Sequence, residues 1–186
     1  MSRVVPSVLA LALGAASLAP LAPLAPLAAQ QAPAGVRGEI LTQFNDAANK
    51  LEQLAEAIPQ DKFTWRPGTG VRSVSEVFLH VVGGNHFILT SVGVPSAMQG
   101  ENDLERSTTD RAQIVAKLKE ANAAVRTAIT AMPDGNLDKA TKLFGMDMTY
   151  RGVCILLASH VHEHLGQMIA YARSNGVVPP WSRSGQ

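Results

Sequence analysis

The chain has 186 residues, of which 46% are hydrophobic and 17% charged, which excludes a disordered chain and fits one globular domain. Sixteen Lys and Arg residues against 15 Asp and Glu residues give a net charge of +1. We therefore expect neither nucleic acid nor an anionic membrane as a partner. The one cysteine, Cys154, excludes an internal disulfide. Its apolar neighbours favour a small core residue over the alternative of a reactive thiol.

The N-terminal segment has the features of a secretory signal peptide. Arg3 supplies a short positive region, residues 4–18 are mostly apolar, and small residues lead to a cleavage point after Ala29. Three prolines interrupt the apolar run before it reaches the roughly 20 residues that a membrane span needs, which disfavours a retained anchor. The sequence therefore predicts an exported protein, periplasmic or secreted, with no membrane attachment after cleavage.

Four later segments show the alternating three-and-four spacing of apolar residues that is typical of amphipathic helices. The second segment begins at Ser73, with Glu76 at the spacing of a capping box. The third begins near residues 109–110 and the fourth near Thr149. No strand-like alternation competes, so we predict an all-α, up-and-down four-helix bundle. In the first segment the apolar residues are Leu41, Phe44, Ala48, Leu51, Ala55 and Ile58.

The predicted division of the chain is signal peptide 1–29, Ala/Pro-rich tether 30–37, four-helix domain 38–178 and C-terminal tail 179–186.

The five histidines lie in two short stretches, HVVGGNH at 80–86 and HVHEH at 160–164. His160 and His164 are four residues apart on the fourth predicted helix, an offset of only about 40°, so both rings can meet one metal ion. His162 lies about 200° from His160 and should point elsewhere. The pair shares its face with apolar residues of the core, where unpaired imidazoles are costly and a metal would satisfy them.

The second helix must supply any further ligand. His80 and His86 are six residues apart, about 120° from eclipsed, so one helix cannot aim both at one point. We take His80 as the third metal ligand and His86 as a rim or structural residue. Three histidines leave an open position, as in catalytic metal sites, and nitrogen ligation favours zinc or nickel over magnesium or calcium. The alternative is that either member of the spaced pair is a hydrogen-bonded core histidine.

The stretches TWRPGTGVRSVSEVFLHVVGGNHF and ASHVHEHLGQMIAYARSNGVVPP resemble the DinB-like family, also called DinB/YfiT-like. The resemblance covers about residues 38–176. Its family pattern combines a tryptophan-proline loop, a metal histidine on the next helix, and a spaced histidine pair followed by Gly-Gln. The matching residues are Trp65, Pro67, His80, His160, His164, Gly166 and Gln167. Leu165 departs from the pattern, because relatives frequently have an arginine there.

The resemblance implies an up-and-down bundle with a nonstandard helix connection, a tri-histidine site for zinc or nickel, and frequent dimerisation, so a homodimer is an expected assembly. Family members with known activity include thiol-dependent S-transferases and isomerases, such as bacillithiol transferases and mycothiol-dependent maleylpyruvate isomerase. Many members have no established activity. Export would separate this chain from the low-molecular-weight thiols of the cytosol.

Two classes of function fit these observations. The first is a metal-dependent transferase or hydrolase that acts on a small molecule whose identity the sequence does not specify. The second is a non-catalytic metal-binding or metal-stabilised module, because no nucleophile triad or phosphate loop is found. Gln167, one turn after His164, could orient that ligand or contact substrate. Glu76 could be a base near His80 or only a helix cap, and we favour the cap slightly. Glu163 should face solvent.

Overall fold

The computed structural model describes residues 34–96 and 101–183, which form a bundle of four long helices. The predicted all-α four-helix fold is confirmed, whereas the predicted signal peptide lies outside the described residues. In the part of the chain that is described, no helix is long and apolar enough to cross a membrane. In chain order the elements are α1 (Gly35–Ala57), α2 (Val74–Thr90), α3 (Glu101–Glu105), α4 (Arg111–Ala131), β1 (Ala140–Leu143), β2 (Met146–Thr149) and α5 (Tyr150–Ser174), with 3-10 turns at Gln60–Lys62, Asp134–Asn136 and Pro180–Ser182.

The apolar stripes of the helices form the core. All six apolar positions predicted for the first helix are buried, and Phe44 and Leu51 are completely so. Phe78 on α2 and Leu157 on α5 meet them in the same cluster. Complete burial of a Leu or Phe side chain contributes about 1.5–3 kcal/mol, so the spacing of these residues along the sequence decides which face of each helix turns inward.

Side-chain caps fix the starts of three long helices. The Ser73 Oγ accepts from the Glu76 amide at 3.3 Å, and the Glu76 carboxylate accepts from the Ser73 amide at 2.7 Å, which completes the predicted capping box. Asp110 caps α4 and Thr149 caps α5, each through the amide three residues further on. A cap of this kind contributes about 0.5–2 kcal/mol.

Helix α1 begins at Gly35, within the segment predicted as a tether. Arg37 gives the physical reason, since its guanidinium donates to the carbonyl of Thr130 at 2.7 Å and to that of Met132 at the end of α4. A cation at the C-terminal carbonyls of a helix is favourable. This contact therefore ties the first turn of α1 to the bundle.

The hydrogen bonds between helices show the directions in which the helices run. Arg126 on α4 reaches Asn45 in the first half of α1 at 2.9 Å, and Lys119 reaches Glu56 near its end at 2.6 Å. These two pairs run in opposite order along the chain, so α1 and α4 are antiparallel. Helices α2 and α5 are antiparallel for the same reason, because residue 72 meets residue 171 and residue 80 meets residue 160.

Helices α2 and α4 run parallel, which breaks the strict alternation of a simple up-and-down bundle. The Gln60 side chain binds the backbone of Thr109 and Arg111 at 2.8 and 2.7 Å, so α4 begins beside the end of α1. Helix α2 begins there too, because the Ser75 amide donates to the carbonyl of Phe63. Among the long helices, α1 and α2 each pack on α4 and α5, and α2 also packs on the short helix α3. This is the nonstandard connection that the family resemblance implies.

A two-stranded hairpin precedes α5, where the sequence predicts no strand. Strands β1 and β2 pair antiparallel with Leu143 opposite Met146, and the turn consists of Phe144 and Gly145 with φ of 52° and 75°. Almost all side chains of the hairpin are exposed or half-buried, Leu143 being the buried one. Because only Leu143 and Met148 of the two strands pack on the core, no alternation of apolar and polar residues marks the strands in the sequence.

Candidate metal centre

Three histidines from two helices meet at one point. His80 comes from α2, and His160 and His164 come from α5. One ring nitrogen of each lies within 4.8 Å of the other two, and the Nε2 atoms of His80 and His160 are 3.3 Å apart. The ring centroids are separated by 5.3, 4.7 and 4.6 Å, with the rings edge to face. These distances leave room for one small ion among the three nitrogens.

Gly84 allows the two helices to bring these rings together. A Cβ atom added to Gly84 would lie 2.4 Å from Cε1 of His160, far inside contact distance. The ring of His160 therefore occupies the place that a side chain on α2 would fill. One turn separates Gly84 from His80 on the same face of α2, so the ring of His160 lies next to His80.

A carboxylate from the short helix α3 holds the ring of His80. Oε1 of Glu105 lies 2.8 Å from Nδ1 of His80, and Arg72 donates to both carboxylate oxygens at 2.8 and 2.9 Å. Burial alone would raise the pKa of Glu105, but the hydrogen bonds from Arg72 and His80 lower it overall. The charged carboxylate accepts a hydrogen bond from the Nδ1–H group of His80, which leaves the unprotonated Nε2 of His80 directed at the other histidines.

Gln167 holds the ring of His164 in a similar way. Its Oε1 lies 2.9 Å from Nδ1 of His164, and its amide nitrogen donates to the hydroxyl of Tyr171 at 3.1 Å. That hydroxyl donates in turn to the carbonyl of Arg72 at 3.2 Å. The structure thus places Gln167 beside the ligand that the sequence assigns to it. The chain of bonds also ties α5 to the start of α2.

His160 differs from its two neighbours. Its Nδ1 atom is buried and has no hydrogen-bond partner among the described residues. Burial, reinforced by the nearby rings of His164 and His80, lowers the pKa of His160 to about 3. Burial also lowers the pKa of His164. Neutral imidazoles with unshared nitrogen lone pairs are the form that binds metal, so this cluster fits a divalent ion that prefers nitrogen ligands.

The remaining candidate residues lie outside this cluster. Glu76 binds the Ser73 amide and forms an ion pair with Arg66 at 3.1 Å, which is its capping role rather than a contact with His80. His162 is exposed and bonds to a backbone carbonyl one turn earlier at 2.8 Å. His86 is half-buried on α2. Glu163 is exposed, as expected.

Cys154 and Leu165 on α5 are both buried in the core. Cys154 is 1% exposed, and burial raises the pKa of its thiol to about 11, so it is a core residue rather than a nucleophile. Leu165, which stands where family relatives frequently have arginine, is also buried. A polar role at that position is therefore absent from this chain.

Glu105 is the site residue that sequence reasoning missed. It lies 25 residues after His80 in the connection between α2 and α4, where no periodic spacing links it to a histidine. One signal could have pointed to it. A metal-binding histidine usually donates a hydrogen bond from its second ring N–H group to a carboxylate, carbonyl or water, so each acidic residue of the connection was a candidate.

Comparison with known proteins places the fold in one family. The model of the DinB family matches residues 30–184. The uncharacterized protein YjoA of Bacillus subtilis (strain 168) is 25% identical over 141 residues, which cover 74% of this chain and 90% of YjoA.

Two solved structures share the bundle. A DinB-like protein from Bacillus cereus ATCC 10987 has a TM-score of 0.67 at 19% identity, over 76% of this chain and 93% of its own. YfiT from Bacillus subtilis, described as a probable metal-dependent hydrolase with an unusual four-helix bundle topology, has a TM-score of 0.62 at 15% identity, over 76% and 89%. Because the family model spans most of the sequence, the chain belongs to the DinB family.

Proposed function

We propose that the protein is an exported metal-dependent hydrolase that acts on a small molecule at a zinc or nickel ion held by His80, His160 and His164. The observation that carries the proposal is the arrangement of the three rings. Their nitrogens converge within 4.8 Å, and Glu105 and Gln167 hold the outer nitrogens of His80 and His164.

The chemistry follows from the donor set. Three protein nitrogens leave at least one position for water or substrate. A bound zinc or nickel ion would supply Lewis acidity that activates water or polarises a carbonyl group. Glu105 keeps His80 in the tautomer whose Nε2 faces the site, and Gln167 does the same for His164.

Hydrolysis is preferred over thiol transfer for two reasons. Thiol transfer needs a reactive thiol, and the buried thiol of Cys154, with its raised pKa, cannot take the place of an external one. An exported protein also lacks the low-molecular-weight thiols of the cytosol, whereas water is always present. The description of YfiT as a probable metal-dependent hydrolase agrees with this choice.

A non-catalytic metal-binding or metal-stabilised module is the second candidate. It is favoured by the state of Glu105, whose two oxygens are already occupied by Arg72 and His80. A carboxylate so engaged positions a ligand but is a poor proton acceptor for substrate. Metal without turnover would favour this candidate.

Elemental analysis of purified variants tests the proposed centre. We expect His80→Ala, His160→Ala and His164→Ala each to lose most of the bound zinc or nickel. His86→Ala and His162→Ala are the controls and should keep it. Metal lost from His162→Ala but retained by His160→Ala would refute the assignment. Turnover of ester and amide substrates by the metal-loaded protein, with and without added thiol, then separates hydrolase, thiol transferase and non-catalytic module.

A further inference from the structure

Two exposed aromatic rings continue the face of α2 that carries the metal centre. Phe87 follows His80 by seven residues, so the two side chains lie within about 20° of each other around the helix and about 10 Å apart along it. Gly84, which accommodates the ring of His160, lies between them on the same face. The side chain of Phe87 is nevertheless 48% exposed, although it directly continues the histidine face.

The hairpin supplies the second ring. The ring of Phe144, at the turn between β1 and β2, lies 5.4 Å from that of Phe87 between centroids, and Phe144 is 63% exposed. The hairpin is held against α2, because Thr141 Oγ1 donates to the carbonyl of Ser91 at 2.6 Å. It also leads directly into α5 at Thr149. It therefore links the end of α2 to the start of α5, the two helices that carry the histidines.

The backbone of the turn does not favour a phenylalanine. Phe144 and Gly145 have positive φ of 52° and 75°, the pattern of a type I′ turn, for which Asn-Gly is strongly preferred. A bulky side chain in the left-handed region is strained, and such strain concentrates at functional sites. Neither the core nor the turn accounts for an exposed aromatic residue at this position.

We infer that Phe87 and Phe144 form an aromatic wall that binds an apolar group of the substrate while its polar, reacting end lies at the three histidines. This inference rests on the proposed function and adds the substrate class to it. The substrate is a small molecule with an aryl or alkyl group several bonds from the hydrolysed bond. Aromatic rings bind such groups through offset or edge-to-face contacts.

Charge around the rings favours a small ligand over a macromolecular partner. Lys142 and Asp147 form an ion pair across the hairpin, and their side chains are 72% and 86% exposed. These charges lie within two residues of the turn. They border the exposed apolar residues of the hairpin, Phe144 and Met146, which together with Phe87 make a small apolar area, whereas docking surfaces for proteins are larger apolar patches.

Metal-chelating hydroxamic acids test the inference without requiring turnover. The zinc-loaded protein is titrated calorimetrically with acetohydroxamic acid, which has no apolar group, and with ω-phenylalkyl hydroxamic acids of one to four methylenes. We expect the best phenylalkyl compound to bind about tenfold more tightly than acetohydroxamic acid, the factor that an added aromatic contact provides. Phe87→Ala and Phe144→Ala should lose most of this preference and keep the affinity for acetohydroxamic acid.

Two further variants make the test specific. Phe144→Asn suits the type I′ turn, so it should lose the preference while keeping or raising the melting temperature. Ile155→Ala removes another exposed apolar residue, about 140° around α5 from His160, and should keep the preference.

If acetohydroxamic acid binds, and Phe87→Ala and Phe144→Asn keep the preference for phenylalkyl hydroxamic acids, the aromatic wall is wrong. The proposed metal centre would then still stand. A change in sedimentation of these variants with unchanged hydroxamate preference would overturn it in favour of a contact between copies of the chain. Failure of the unsubstituted protein to bind either zinc or nickel would overturn the proposed function and this inference together.

Discussion

Oε1 of Glu105 lies 2.8 Å from Nδ1 of His80, which makes a residue of a five-residue helix the partner of a candidate metal ligand. We predict that Glu105→Ala lowers the affinity for zinc by about 10–100-fold, the usual effect of removing such a partner. Glu105→Gln should lose less, because its amide oxygen can still accept from Nδ1. Competition with a chromophoric chelator measures both affinities.

The control for this prediction is Glu76, the acidic residue that the sequence placed near His80. Glu76→Gln weakens the cap of α2, so it should lower the free energy of unfolding by up to about 1 kcal/mol. Its zinc affinity should stay within about twofold of the unsubstituted protein. A larger loss of zinc affinity in Glu76→Gln than in Glu105→Ala would show that the roles of the two carboxylates are reversed.

Gly84→Ala should displace the ring of His160, since the new Cβ would lie 2.4 Å from Cε1. We predict a large loss of zinc from this variant, measured by elemental analysis, with far-ultraviolet circular dichroism still showing a helical protein. Gly166→Ala is the matched control, because nothing lies within 4 Å of its added Cβ. It should keep zinc and stabilise α5 by up to about 1 kcal/mol. Equal zinc content in both variants would disprove the close approach of His160 to α2.

Acid should destabilise the metal-free protein through His160. An unfolded histidine has a pKa near 6.5, whereas His160 in the folded protein has a pKa of about 3. Between these values the unfolded chain binds a proton that the folded chain does not. The free energy of unfolding therefore falls as the pH falls below about 6.5, by up to ~1.4 kcal/mol per pH unit for this group. Above pH 6.5 both states are neutral, and the group has no effect.

Urea unfolding of the metal-free protein between pH 7.5 and pH 5 tests this dependence. His160→Gln removes the group and should make the profile shallower, whatever its stability at pH 7.5, with a remaining slope from His164, whose pKa burial also lowers. His162→Gln, on the exposed side of α5, should keep the slope of the unsubstituted protein. Parallel profiles for His160→Gln and the unsubstituted protein would contradict the buried, neutral state of His160.

Export predicts a processed N-terminus. Because Arg3 and the apolar run precede small residues up to Ala29, we expect the mature protein from its native host to begin near residue 30. Intact mass spectrometry of protein from the periplasmic or secreted fraction measures this mass directly. Soluble cytosolic protein that retains Met1 would exclude export, although it would leave the metal centre untouched.

Features that depend on local spacing could be predicted from the sequence. The capping box of Ser73 and Glu76 needs only residues three apart, and the histidine pair of α5 needs only residues four apart. The inward faces of the helices follow from the same arithmetic. The structure indeed places His160 and His164 together and brings His80 to them.

Features that depend on distant parts of the chain could not be predicted in this way. Glu105 reaches His80 only because the connection after α2 folds back over the start of that helix, which Arg72 shows by binding the same carboxylate. The parallel course of α2 and α4 is likewise a property of the whole bundle. The hairpin was missed because its exposed strands show no apolar alternation, and Phe144 occupies a turn position where Asn is usual.

The separation of the histidines along the chain has a mechanical consequence. His80 and His160 are 80 residues apart, so an ion held between them would close a long loop, much as a disulfide does. Closing a loop of this length restricts the unfolded chain by the equivalent of about 4.5 kcal/mol in the chain-entropy model. The ion would then also hold α5 against α2. A chain with no disulfide of its own would gain from the metal a cross-link that a chelator can open.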